Sequence, residues 1–158
     1  MKLSLVNRQS KLKIRKRDLQ RLARWLLDRI ELPGANRPGA EISLILTDHE
    51  GILPVNAMFF GKHRPTDVIS FVYRNDEAEA VFRGEIFVNV ERAIEQGVLH
   101  GGLQHELALY IAHGFDHLSG ASDHIPLLRA RMRRRELKWL KEASAQGLLR
   151  NLCAPNRF

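Results

Sequence analysis

Apolar residues recur along the chain in two rhythms. Short runs of strand length occur at KLSLVN (2–7) and EISLILTD (41–48). Two further strands are predicted at PTDVISFVY (65–73), opened by Pro65, and at RGEIFVNV (83–90), which alternates from Ile86 to Val90. The other rhythm has helical spacing. In KRDLQRLARWLLDRIEL (16–32), Leu19, Leu22, Trp25, Leu26 and Ile30 share one stripe, and the turn residues of PGANRPGA (33–40) end it. ERAIEQG (91–97) predicts a short helix stopped by Gly97, and the pattern is helical again from Leu103 to Leu118. Pro126 suits the first turn of a last helix reaching about Gly147, with Ser122 or Asp123 as its cap. Residues 49–64 read as mostly loop, RNDEAEA (74–80) as an acidic turn, and 148–158 as a partly disordered tail. Strands and helices alternate early and helices gather late. The expectation is therefore a single α/β (α+β) domain over 1–158, with a mixed sheet of about four strands flanked by helices.

Composition narrows the function classes. At 158 residues and 44% hydrophobic, the chain suits one globular core. Its apolar runs are far shorter than the roughly 20 residues that cross a bilayer. The opening MKLSLVNRQSKLKIRKR has no sustained apolar stretch and no small-residue cleavage signal, so no signal peptide is expected. The single cysteine, Cys153, has no disulfide partner in the chain and fits a reducing cytoplasm. Charge is uneven: residues 1–40 carry 11 Lys and Arg against 3 Asp and Glu, residues 41–124 carry 5 against 13, and residues 125–158 carry 9 against 2. The run RARMRRRELKWLK (129–141) taken alone is as readily a solvated helix face as a binding surface. Basic character at both ends of an acidic centre is what raises a polyanion as partner.

Three of the seven histidines fall within HGFDHLSGASDH, residues 113–124. On a helix His113 and His117 are one turn apart and point the same way, which lets two imidazoles grip one ion. Gly120 allows the helix to end in a left-handed turn, so that the chain folds back and brings His124 to the same ion. Three protein ligands leave one position open, the arrangement of a catalytic zinc. Gly114 costs about 1 kcal/mol within a helix relative to alanine, so close approach to its backbone is expected. The metalloprotease pattern H-E-x-x-H has glutamate where this chain has Gly114, so the group that activates water for peptide hydrolysis is absent. Asp116 is expected behind the ligands, or as a cap.

These segments, in order, resemble the YbeY family of bacterial metal-dependent endoribonucleases over about residues 41–140. PTDVISF is similar to the family's P-T-D-V-L-S-F strand, and RGEIFVN to its L-G-D-I-x-I strand, with Glu85 for aspartate. HELALYIA (105–112) is similar to the helix that leads into the signature H-G-x-x-H-L-x-G-x-D-H. HGFDHLSGASDH matches that signature with one extra residue between Gly120 and Asp123. The resemblance implies a mixed sheet flanked by helices, one zinc ion held by His113, His117 and His124, and cleavage of single-stranded RNA. It also implies small-subunit ribosomal RNA maturation and ribosome quality control in the cytoplasm. Counted strictly from His117 the third ligand falls on Asp123, and counted by the Asp-His pair it falls on His124; the expectation is His124.

Two departures lie elsewhere. The family's N-x-x-[YF]-R context appears as NAMFF, with Phe60 at the arginine, and Val72 replaces the proline after S-F. Phe60, Lys62, His63 and Arg64 are expected to face the substrate, and Thr66 and Ser70 to serve as ordinary strand residues. The leading expectation is a metallo-endoribonuclease. The alternatives are a metalloprotease-like hydrolase and a non-catalytic RNA-binding ribosome-assembly factor.

Overall fold

The computed structural model describes residues 1–73 and 81–156, so the expected acidic turn at 74–80 lies outside the described residues. Strands β1 (Lys2–Asn7), β3 (Glu41–Thr47), β4 (Val68–Val72) and β5 (Arg83–Asn89) form one mixed sheet in the order β1-β3-β5-β4. The first three run parallel, with Leu5 opposite Leu44 and Leu44 opposite Ile86; β4 pairs antiparallel to β5, with Ser70 opposite Ile86. A two-stranded ribbon pairs β2 (Leu12–Ile14) with β6 (Cys153–Pro155). The helices are α1 (Lys16–Leu27), α2 (His49–Phe60), α3 (Val90–Gly97), α4 (Leu103–Leu118) and α5 (Pro126–Ala145).

Strand side chains alternate between the two faces of the sheet. Ile42, Leu44, Leu46, Ile86 and Val88 enter the main core with Leu19, Leu22 and Leu26 of α1 and Leu107, Ile111 and Phe115 of α4. The opposite face is covered by α2, where Ile52 packs with Ile45, Ile69 and Phe87. Helix α4 is buried nearly all round, with ten of its sixteen residues inside. Gly114 explains how so thick a helix lies so close to the sheet: a Cβ there would collide with Ile86 Cγ2. The Ser70 hydroxyl donates to the Gly114 carbonyl at 3.0 Å, tying β4 to the same turn. Ser70 is thus a structural residue.

Three expectations are corrected. Residues 49–60, read as loop, form α2. Gly51 and Pro54 disguise it, because both are poor within helices. Tertiary packing of Ile52 and local capping outweigh them: Asp48 accepts from the Gly51 N–H, and Gly61 closes the far end at φ 64°. The last helix is not capped by Ser122 or Asp123. Its N-cap is Ile125, without a side-chain cap hydrogen bond, and Pro126 alone supplies the favourable first turn. The stretch after α5, read as a partly disordered tail over 148–158, instead buries Leu149, Leu152 and Cys153 and ends in β6 among the described residues. Gln104 anchors it, donating to the Cys153 carbonyl at 2.8 Å and accepting from the Leu152 N–H at 2.8 Å.

Candidate metal centre

The last turn of α4 carries His113 and His117. The helix ends in a turn of the Schellman type: the Ala121 N–H donates to the Asp116 carbonyl and the Gly120 N–H to the His117 carbonyl. Gly120 takes φ 99°, a conformation that side chains disfavour, as its position in the sequence predicts. The same turn positions a ligand. It brings the Ala121 carbonyl to 3.1 Å from His117 Nδ1. A carbonyl only accepts, so His117 Nδ1 carries the proton and Nε2 is left with a lone pair.

His113 is fixed in the same sense from α5. Its Nδ1 donates to Glu136, 2.9 Å from Oε1 and 3.1 Å from Oε2. Glu136 is 3% exposed and lies on the apolar stripe with Met132, Trp139, Leu140 and Ala143. Burial on its own would lower the His113 pKa. The Glu136 hydrogen bond and charge, with the Asp67 and Asp123 charges, outweigh it and hold the imidazole above the ordinary histidine range. Beside this pair, Arg135 grips the buried Asp116 carboxylate with contacts of 2.8 and 2.9 Å from one nitrogen and 3.0 Å from another. Burial pushes the Asp116 carboxyl up, to about 6, against the pull of Arg135, and Glu136 adds to the rise. Through Arg135, Asp116 braces α5 against α4.

The two Nε2 atoms converge at 3.0 Å, and Asp123 Oδ2 stands 3.7 Å from the first and 3.4 Å from the second. Two unprotonated nitrogens and a carboxylate oxygen aimed at one point fit a divalent cation. His124 is outside this group. It is exposed, and its backbone N–H donates to Ser122 Oγ at 3.3 Å. Asp123 thus stands nearer the two Nε2 atoms than the expected ligand His124, which lines the same cavity. The reason is local: the case for His124 engages Asp123 as a helix cap, and the cap lies two residues later.

Similarity to known proteins covers this centre and most of the chain around it. The profile of the family described as Endoribonuclease YbeY matches residues 4–144. The chain belongs to the YbeY family. A relative from Heliobacterium modesticaldum, named Endoribonuclease YbeY, is 35% identical over 84% of this chain and 83% of its own. One of the same name from Enterococcus faecalis is 37% identical over 51% of this chain and 60% of its own, and one from Bacillus licheniformis is 38% identical over 52% and 58%. The chain thus spans about six-tenths of the length of these last two relatives. The solution structure of TM1509 from Thermotoga maritima shares the fold, with a TM-score of 0.58 over 91% of this chain and 90% of that one, at 19% identity.

Around the YbeY signature, a cavity of about 740 Å³ is lined by His113, His117 and Asp123, with Phe60, Lys62 and Arg64 on its wall. His63, expected with them, is exposed and does not line it. Phe60 stacks parallel to Phe71 with centroids 6.4 Å apart, and remains 55% exposed. At the place of the family's arginine there is thus an open aromatic face and no phosphate donor. Glu136, Arg135 and Asp67 are not singled out by the sequence. A signal for Glu136 existed: it is the lone acid in a run of arginines, and it falls on the helix face that Trp139 and Leu140 mark as buried.

A second group of similar composition, His49, Glu91 and Glu95, lies at the start of α2. Asn89 decides its chemistry. The Asn89 Oδ1 accepts from the Arg92 N–H and its Nδ2 donates to the Thr66 carbonyl, which fixes the amide orientation. Nδ2 then also donates to His49 Nδ1 at 2.8 Å, so that nitrogen has no proton. The His49 proton sits on Nε2 and is donated to Glu95 Oε1 at 2.5 Å. This group is a hydrogen-bonded brace, with no nitrogen lone pair to offer.

Proposed function

We propose that the protein is a single-strand-specific endoribonuclease that uses a divalent ion, zinc by preference, held by His113, His117 and Asp123. The observation that carries this reading is the convergence of two Nε2 lone pairs and one carboxylate oxygen in a cavity walled by Lys62 and Arg64. Two histidines and one carboxylate are a known catalytic zinc set. The ion would act as a Lewis acid on a phosphoryl oxygen and supply a nucleophile at neutral pH. The chain's own residues do the rest. Glu136 and the Ala121 carbonyl hold the imidazole tautomers that leave Nε2 free. Lys62 and Arg64 neutralise backbone phosphates, which makes binding salt-sensitive. Phe60 offers a face on which an unpaired base stacks, in place of an arginine fork.

The substrate in the cell, on this reading, is the ribosomal RNA of the small subunit, met on the ribosome in the cytoplasm. No helix among the described residues is long and apolar enough to cross a membrane. Elemental analysis paired with a cleavage assay tests the proposal. The expected result is about one divalent ion per chain and metal-dependent cleavage of single-stranded RNA, with duplex RNA and casein left intact. Cleavage of casein would favour the hydrolase of peptides, and RNA binding without cleavage by the metal-loaded protein would favour an assembly factor.

A further inference from the structure

Next to the metal centre, sharing His113, Arg64, Thr66 and Asp67 with its cavity, lies a second cavity of about 630 Å³ that the proposed chemistry does not use. Its polar lining includes Glu106, Arg92, Tyr110 and His100, together with Arg64 and Arg133. Glu106 is 4% exposed, and its Oε2 has no hydrogen-bond partner among the described residues. The nearest ionic contact to the same carboxylate is His100 Nδ1, 3.6 Å from Oε1, beyond hydrogen-bond distance. Arg92 Nε is likewise buried without a partner. An acceptor and a donor, both removed from water and both on residues that line one cavity, are each destabilising if left without a partner. Burial, the Glu106 and Asp67 charges and the approach of the Tyr110 hydroxyl to the Glu106 carboxylate raise the phenol well above its ordinary range against the pull of Arg92, so the hydroxyl stays a donor and leaves Oε2 as the open acceptor.

We propose that this cavity is a base-recognition subsite that takes a guanine of the RNA strand, with Glu106 as the specificity-determining residue. The proposal deepens the nuclease reading and rests on it for the identity of the ligand. The chemistry of the four bases selects guanine. A carboxylate that accepts on both oxygens needs two adjacent N–H donors. Guanine carries N1–H and the N2 amino group side by side, with the O6 acceptor next to them on the same edge. Adenine and cytosine pair one amino group with a ring acceptor, and uracil sets one N–H between two carbonyls. O6 would face Arg92 while Arg64 and Arg133 meet the flanking phosphates. Single-stranded RNA presents such an edge when a base is splayed from its neighbours. A metal ion is the poorer occupant: Glu106 and His100 lack a third ligand within reach among the described residues, and Arg92 would repel it.

Equilibrium dialysis of the metal-loaded protein against 5′-GMP, 5′-IMP and 5′-AMP tests the subsite without any cleavage. IMP differs from GMP only in lacking the N2 amino group. The expected order is GMP tightest, with IMP and AMP weaker by about tenfold to a hundredfold, the discrimination typical of a paired contact to a base edge. Glu106→Gln keeps the shape, turns one acceptor into a donor, and should erase the preference. If that variant does not fold, Arg92→Met should weaken GMP and leave AMP unchanged, and the wild-type comparison stands by itself. Equal affinity for the three nucleotides overturns the subsite. RNA cleavage with no preference for guanine, or for guanine over inosine, overturns it too while leaving the nuclease reading intact. Selective GMP binding by a protein that cleaves no RNA does the reverse.

Discussion

Among the described residues two groups of three combine histidine with carboxylates, and their imidazoles are bonded in opposite senses. At His113, His117 and Asp123 each imidazole donates its Nδ1 proton outward, to Glu136 and to the Ala121 carbonyl, so both Nε2 atoms face inward unprotonated. At His49, Glu91 and Glu95 the relation is inverted, because Asn89 occupies Nδ1 as a donor and forces the proton onto Nε2. Residue types and spacing within 4.8 Å are alike in the two groups. The hydrogen bond on the far side of the ring separates a ligand from a brace.

The sharpest break of this comparison is a paired substitution. His113→Ala is expected to reduce bound metal from about one ion per chain to none, while His49→Ala leaves the stoichiometry unchanged. Elemental analysis of the two purified variants reads both, and metal loss in His49→Ala would sink the inverted-tautomer account. The next largest effect concerns the third ligand. Asp123→Ala should weaken the ion by at least about a hundredfold, above the 10–100-fold range of a supporting residue, and His124→Ala by little. A competition titration with a chelating dye decides it, and the opposite ranking would restore the three-histidine set.

Glu136→Gln sharpens the comparison from within. The side-chain amide would no longer offer a carboxylate to the His113 Nδ1 proton, and affinity should fall about 10–100-fold. The measurement belongs above the raised His113 pKa, where a proton no longer competes for Nε2. As pH falls through the raised His113 pKa, that proton returns and metal affinity falls with it, in the wild type at a higher pH than in the variant. The smallest effect is expected at the brace. Asn89→Ala removes the α3 cap and the tie to His49, costing about 1–2 kcal/mol of stability in a urea titration while metal content holds.

Much of this arrangement is legible in the sequence because local chemistry decides it. Leu103–Leu118 and Pro126 stand where periodicity and proline place them, and Gly120 turns where a glycine is required. Helix α2 is hidden because Gly51 and Pro54 advertise a break that the burial of Ile52 overrides. The choice between His124 and Asp123 as third ligand turns on a related point. A cap is a choice among neighbouring residues, and shifting it from Asp123 to Ile125 releases a carboxylate that sequence logic has already used. Glu136 and Glu106 are legible only as acids on buried helix faces. What they face depends on distant partners, such as His113 for Glu136, 23 residues away in the chain.

The ribbon of β2 and β6 gives the folding of this chain an order of events. Leu12 pairs with Pro155, and Gln104 at the head of α4 is satisfied by the backbone of Leu152 and Cys153. Closing so distant a contact is slow relative to forming helices or hairpins. On a translating ribosome the clamp cannot shut until Pro155 has left the exit tunnel, by which time α5 and its Glu136 are already out. The helix that carries the histidines is thus tied down at its N-terminal end only after residues 152–153 have been made.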